Sequence, residues 1–302
     1  MKEGKAGVVL CFGEVLWDSL PRGLFPGGAP LNVAFHLRRL GLYPVLVSAV
    51  GQDRLGEEML ARLESWDLEA AGVSVLSDRE TGLSRVTVVD GSPSFEILPA
   101  VAWDRIELSD EVLQAAGRGV AVVFGSLSQR EEQNRTELLR LLDLSPTALR
   151  IFDVNLRPPF SPAKRVLNLA RHAHVVKLNE IELATLLEEE IAPAGLEDAV
   201  RRFARLVNVD RICLTAGAAG AGLLTSEEWT WRSMSPAVVR DAVGAGDAFL
   251  GALLFGILRG ESAEDVLRRA GGLARFVVTR DGATPDYRLD HDGHVVDGST
   301  PP

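Results

Sequence analysis

Residues 241–251 read Asp241-Ala242-Val243-Gly244-Ala245-Gly246-Asp247-Ala248-Phe249-Leu250-Gly251, and an apolar helical run continues from there to Leu258. Small residues at Gly244, Ala245 and Gly246 let backbone N–H groups converge. The helix that opens there adds its first amides and the positive end of its dipole, so the turn is a candidate anion pocket. Asp247 stands beside it as a candidate base. The same letters also describe a plain strand-to-helix turn with Asp247 as a capping residue. Either reading makes the stretch a junction of an α/β protein, and the rest of the chain shows the same rhythm.

Short runs rich in Val, Ile and Leu alternate with amphipathic stretches: Gly7 to Phe12, Leu31 to Leu40, Val45 to Val50, Gly56 to Trp66, Val120 to Phe124, Arg130 to Leu142 and Arg150 to Val154. The pattern continues through Val175 to Lys177, Glu180 to Leu187, Leu196 to Leu206, Arg211 to Leu214, Ala248 to Leu258 and Ala263 to Val278. Strands without internal polar alternation, separated by helices, indicate a doubly wound α/β fold whose mostly parallel sheet is flanked by helices. One segment breaks the rhythm. From Thr81 to Pro99 the residues alternate, turn at Asp90-Gly91 and resume as Phe95-Glu96-Ile97-Leu98, a β-hairpin signature with no helix partner nearby. Such a ribbon is an edge hairpin or a lid, and its exposed edges allow it to pair with a second subunit in a homodimer.

At 302 residues the chain is long enough to bury roughly 75% of the surface its unfolded form exposes. A formal net charge of -10 argues against nucleic-acid or anionic-membrane partners, which need a basic footprint. Any anionic substrate must therefore be held by local groups. Cys11 and Cys213 each lie inside an apolar run, which suits buried thiols and a reducing, cytoplasmic setting. No stretch approaches the ~20 apolar residues of a membrane span. The segment from Arg288 to Pro302 is polar and is expected to fray, with His291, His294 and Asp297 solvated rather than gathered on a metal.

Near the amino end, Gly13-Glu14-Val15-Leu16-Trp17-Asp18 follows the first strand, placing Asp18 beyond a carboxyl end, where open α/β sheets bind ligands. Gly27-Gly28-Ala29-Pro30-Leu31-Asn32 then opens a helix. Asp18, the Gly28 backbone and the Asn32 amide together offer the mixed donors and acceptors that read a polyol. Taken singly, each is also an ordinary turn or first-turn residue.

The two glycine-containing signatures, in this order and with Phe152-Asp153-Val154-Asn155-Leu156-Arg157-Pro158-Pro159, Lys177-Leu178-Asn179-Glu180-Ile181-Glu182, Thr215-Ala216-Gly217-Ala218-Ala219-Gly220 and Val278-Thr279-Arg280-Asp281-Gly282-Ala283 between and after them, resemble the ribokinase-like (PfkB) carbohydrate kinases. The resemblance runs from about Val8 to Tyr287. Gly13 to Asp18, Asn155 to Phe160 and Ala102-Trp103-Asp104 look most like the bacterial fructokinase branch. It implies a single ribokinase-like domain over residues 1–302, a lid formed by about 14–27 and 81–103, and a flexible tail over 288–302. It implies transfer of the γ-phosphate of ATP to a hydroxyl of a small sugar, foremost D-fructose to fructose 6-phosphate.

In that family's scheme Asp247 takes the hydroxyl proton while the amides of Gly244 to Asp247 hold developing charge, which suits phosphoryl transfer because positioning and charge neutralisation dominate it. Asp18, Gly28, Asn32, Arg85 and Arg157 correspond to sugar-binding positions. Thr215, Gly217, Gly220, Lys177 and Asn179 correspond to the ATP site, and Gly271 to Ala274 leaves room for adenine. Asn179 and Glu182 resemble an element that holds Mg²⁺ through water, although the same spacing is a capping box. Asp241, with the backbone near Gly282, corresponds to a monovalent-cation site suited to K⁺. One departure stands out: the family usually carries Thr where this chain has Ala242, which puts loop stiffness and cation dependence in question.

Other readings remain. The chain contains no Gly-x-Gly-x-x-Gly after its first strand and no Gly-x4-Gly-Lys-Ser/Thr, so a dinucleotide-dependent dehydrogenase and a P-loop kinase are disfavoured. A kinase for 2-keto-3-deoxygluconate would use Arg85 and Arg157 on the carboxylate. A nucleoside kinase would need an aromatic platform, and a sugar-binding relative without turnover would not need Asp247.

Overall fold

The computed structural model describes residues 7–20, 23–89, 92–226 and 228–296. The chain forms two compact units, residues 1–148 and 149–302. In the first, β1 (Val8–Phe12), β2 (Leu16–Leu20), β3 (Gly23–Gly27), α1 (Ala29–Arg39), β4 (Tyr43–Gly51), α2 (Arg54–Ser65) and β5 (Val73–Leu76) are followed by β6 (Gly82–Val89), β7 (Ser92–Ile97), α3 (Asp110–Ala116), β8 (Gly119–Gly125) and α4 (Glu132–Leu144). β8, β1, β4 and β5 pair in that order, all parallel. The apolar runs that mark these strands are buried: Leu10, Phe12, Leu46, Val47, Val122 and Phe124 are at most 1% exposed. Cys11 is a buried free thiol, as its surroundings suggested.

The ribbon is larger than the sequence indicates. β6 and β7 pair antiparallel from Ser84↔Ile97 to Val89↔Ser92, but β2 and β3 join them in a four-stranded sheet ordered β3-β2-β6-β7. Within the 14–27 part of the expected lid, Leu16–Leu20 and Gly23–Gly27 are therefore strands, and the Asp90-Gly91 turn lies outside the described residues. The base of this sheet is pinned to the core. Trp17 donates its indole N–H to Leu55 O at 3.0 Å. Asp53 caps α2 through Gly56 N–H at 2.8 Å and accepts Thr81 N–H at 2.8 Å. Burial alone would raise the Asp53 carboxyl, but the Thr81 and Gly56 hydrogen bonds outweigh it and hold it below the usual range. On the return side, buried Arg130 stacks 4.1 Å from the Trp103 ring, grips Asp104 with two bonds of 2.6 Å and donates to Leu98 O at 2.7 Å.

The second unit contains β9 (Leu149–Asp153), α5 (Ala163–Ala170), β10 (Val175–Asn179), α6 (Glu180–Leu187), α7 (Leu196–Val207), β11 (Arg211–Thr215), β12 (Ala221–Leu224) and β13 (Trp229–Arg232). α8 (Ala245–Leu258), α9 (Ala263–Val278), β14 (Arg288–Leu289) and β15 (Val295–Val296) complete it. β9, β10 and β11 are parallel, and β12 and β13 add an antiparallel edge. Burial pushes the Cys213 thiol up to about 12, so it is no nucleophile. Within the segment expected to fray, residues through Val296 carry backbone pairing and side-chain contacts. β14 and β15 pair, and Arg269, bound to Glu261 at 2.7 and 3.0 Å, donates to Asp292 O at 2.9 Å and Gly293 O at 2.7 Å. Four carbonyl and carboxylate acceptors on one buried guanidinium outweigh the polar composition. Residues 297–302, with Asp297, lie outside the described part. Among the described residues no helix is long and apolar enough to cross a membrane, and no His, Cys, Asp and Glu cluster has metal-holding geometry.

Candidate active site

In the second unit the glycine turn does what its residues allow. Gly244 caps α8 with φ 77°, and a side chain there would put its Cβ 2.3 Å from Ala283 Cβ. Only glycine fits both demands. The helix ladder begins with Ala248 N–H on Gly244 O at 2.9 Å, so the amides of Gly246 and Asp247 face outward from the helix end. Ala245 N–H leans back on Ala242 O at 3.4 Å, a long contact. Asp247 is half-buried in the first turn. Asp241 ties the turn down from both sides, its Oδ1 accepting Val243 N–H at 3.0 Å and its Oδ2 accepting Gly282 N–H at 3.1 Å. The link between Asp241 and Gly282 is thus a direct hydrogen bond.

Behind the turn lies a charged cluster. Lys177, on β10, pairs in register with Asp153 on β9, and the two side chains meet at 2.9 Å, both almost fully buried. A Cβ at Gly246 would sit 3.4 Å from Lys177 Nζ, which places the ammonium against the first turn of α8. Burial would lower the lysine's pKa, but the charges of Asp153, Glu182 and Asp247 outweigh it and hold it above its ordinary value. Lys177 is thus one half of a buried ion pair. Asp153 was not singled out as a functional residue, although an acid inside the apolar run Arg150 to Val154 is a legible signal for a buried partner.

Asn179 and Glu182 form a full capping box: Asn179 Oδ1 accepts Glu182 N–H at 2.9 Å, and Glu182 Oε2 accepts Asn179 N–H at 2.8 Å. Glu182 Oε1 also takes Leu156 N–H at 2.9 Å. Burial, reinforced by Asp153, pushes the Glu182 carboxyl above the ordinary carboxylate range.

A cavity of about 460 Å³ runs from this turn toward α9, lined by Asn179, Thr215, Gly217, Ala245 and Gly246 at one end and by Met234, Val239, Gly271, Ala274 and Val278 at the other. Ile181 and Val239 line it while 71% and 63% exposed, apolar surface that a bound group would cover. Gly217, at φ 51°, has open space where a Cβ would be. Gly220 also lines the cavity, but its missing side chain makes room for Arg232 O, 2.5 Å from where a Cβ would stand, rather than for a ligand alone. Arg157 is exposed, on the loop after β9.

In the first unit, the antiparallel β2–β3 register and the turn into α1 bring Asp18 against Gly27, where a Cβ would sit 2.3 Å from Asp18 Oδ2. Gly28 caps α1 at φ 111°, and a Cβ there would lie 2.3 Å from Glu14 O. Asn32 is 5% exposed in the first turns of α1. Arg85 does not join this set. The parallel β2–β6 register places Ser84 beside Asp18 and Arg85 beside Ser19, so Arg85 projects from the opposite face of the sheet. Replacing Gly28 by Ala is expected to destabilise the protein by about 1–3 kcal/mol, from the positive φ and the Glu14 contact, measured as a lower Tm. A melt unchanged within a degree would refute that reading of the turn.

A helix end that gathers amides, a carboxylate in its first turn and a buried ammonium behind it form the class of site that transfers phosphoryl groups. The model of the pfkB family carbohydrate kinases matches residues 22–288. The chain belongs to that family and is a sugar kinase by descent. It is similar to fructokinase-1 of Oryza sativa subsp. japonica, with 28% identity over 316 residues, covering 93% of this chain and 95% of that protein. The ATP-bound fructokinase of Xylella fastidiosa superposes with a TM-score of 0.80 at 25% identity, covering 92% of this chain and 94% of that one. An uncharacterized sugar kinase of Pyrococcus horikoshii gives 0.75 at 27%, covering 92% and 94%.

Proposed function

We propose that the protein transfers the γ-phosphate of ATP to a hydroxyl of D-fructose, giving fructose 6-phosphate. The observation that carries this is the position of Asp247 in the first turn of α8, where outward-facing amides and the Lys177 ammonium meet at the end of a 460 Å³ cavity. The similar Xylella fructokinase was crystallised with ATP. Asp247 accepts the sugar's hydroxyl proton, and the amides of Gly246 and Asp247, with Ala245, hold charge as it spreads over the phosphoryl oxygens. Thr215, Gly217 and Gly220 border the triphosphate, and Lys177 opposes its charge from beneath Gly246.

Glu182 fits a water-mediated Mg²⁺ site. Each of its oxygens accepts one backbone N–H and keeps lone-pair capacity, and Asn179 adds a side-chain oxygen. Mg²⁺ bound there supplies charge neutralisation to the phosphates. Asp241, with both oxygens already accepting amides around the turn, is the acidic group a K⁺ would join, stiffening the loop that lacks a hydroxyl at Ala242.

On the sugar side, Asp18, the Gly28 backbone and Asn32 read hydroxyls, with Arg157 a further candidate sugar-binding residue. The β3-β2-β6-β7 sheet acts as the lid, closing to exclude water, and its outer edges pair two subunits. The register of Arg85 favours a neutral sugar over 2-keto-3-deoxygluconate, because a bidentate carboxylate site of Arg85 with Arg157 would need Arg85 on the face of Asp18. ADP release from Mg·ATP with K⁺ across fructose, ribose, 2-keto-3-deoxygluconate and adenosine tests the assignment. Fructose is expected to give the highest kcat/KM. A higher value for any other acceptor overturns the substrate, and silence on all four, with ATP still bound, points to a sugar-binding relative.

A further inference from the structure

The two ends of the nucleotide cavity differ in chemistry. At the far end, α9 presents Gly271, Ala274, Arg275 and Val278 at helical spacing on one face, opposite the 234–239 segment. Gly271 allows close approach, since a Cβ there would lie 2.2 Å from Met234 Sδ. Arg275 Nε donates to Pro236 O at 3.3 Å, linking the two walls at the rim of the slot. The result is an apolar slot with a thioether face suited to a flat aromatic ring, whose polar side chains are Ser235 and Arg275.

Strong rejection of one purine requires a protein group that the wrong base leaves buried and unpaired. The side chains of Met234, Val239, Gly271, Ala274 and Val278 carry no such group, and the Ser235 hydroxyl can donate or accept and so suits either base. Arg275 carries donors and no acceptor, so it complements a base edge with two acceptors, as guanine presents at O6 and N7. Adenine offers only N7 as an acceptor on that edge and sets its N6 amino donor against the second Arg275 donor, so it gains one hydrogen bond where guanine gains two.

We infer that the phosphoryl-donor site accepts a guanine nucleotide as well as an adenine nucleotide, with Arg275 recognising the 6-oxo edge. The inference rests on the kinase reading above. Its test is kcat/KM for Mg·ATP and Mg·GTP with the preferred sugar, in the wild type and in Arg275→Met. Because the ratio of GTP to ATP is read within each preparation, any misfolded fraction cancels. The wild type is expected to use GTP within about tenfold of ATP, and the substitution to lower the GTP/ATP ratio at least about threefold. A larger ATP preference, or a ratio that moves less, overturns the inference while leaving the kinase intact. Transfer from neither nucleotide to any sugar overturns the kinase reading and this one with it.

Discussion

Asp247→Asn is expected to lower kcat by roughly 10²-fold or more with little change in the KM for ATP or sugar, because the amide keeps the size of the carboxylate but cannot accept the hydroxyl proton. Asp247 sits in the first turn of α8 beside outward-facing amides, where a carboxylate is favoured by the helix dipole and interacts with the buried Lys177 ammonium. A residue that only capped the helix would change stability instead, since loss of a cap costs about 1 kcal/mol and leaves turnover per folded molecule intact. Steady-state kinetics alongside a thermal melt separate the two. A variant with wild-type kcat and a lowered Tm would make Asp247 a capping residue and remove the base from the scheme.

Lys177→Met is expected to cost about 3–5 kcal/mol of stability near pH 8, the range for breaking one partner out of a buried ion pair. The loss follows from what stays behind: Asp153 with its 2.9 Å partner gone, and Glu182, already raised by burial and by Asp153. The sign of its pH dependence is fixed. With the ammonium removed, Glu182 loses a charge that lowers its pKa, so its folded value stands further above its unfolded one. Groups of that kind contribute stability that is present below the unfolded pKa and lost as pH rises. The deficit of the variant relative to wild type therefore shrinks on going from pH 8 to pH 5. Denaturant unfolding at the two pH values measures it, and a deficit independent of pH would mean that lost packing, not charge, is responsible. In the wild type, the raised pKa of Lys177 works the same way: its contribution is complete below its unfolded value of about 10.5 and is lost only as pH climbs through the higher folded value.

The glycine turn, the apolar strands and the amphipathic helices were legible because each is a local pattern. Gly244 needs φ 77°, β1 is an unbroken apolar run, and α6 carries its own capping box in Asn179 and Glu182. Periodicity and turn chemistry act over a few residues, so a single chain displays them. They set the α/β class, the hairpin, the buried thiols and the position of Asp247 at a helix start. What lay beyond them depended on pairings distant in sequence. Leu16 to Leu20 is expected only as part of a lid until β6 pairs with it, and that register alone turns Arg85 away from Asp18. The polar segment after Arg288 is met by Arg269, which reaches Asp292 O and Gly293 O from α9. Asp153 becomes the anchor of Lys177 only when β9 and β10 lie side by side. The sequence by itself determined which elements form and which residues can bear charge at the turn. Tertiary structure alone decided which charges meet and which faces they share, because burial and strand register belong to partners that no local stretch contains.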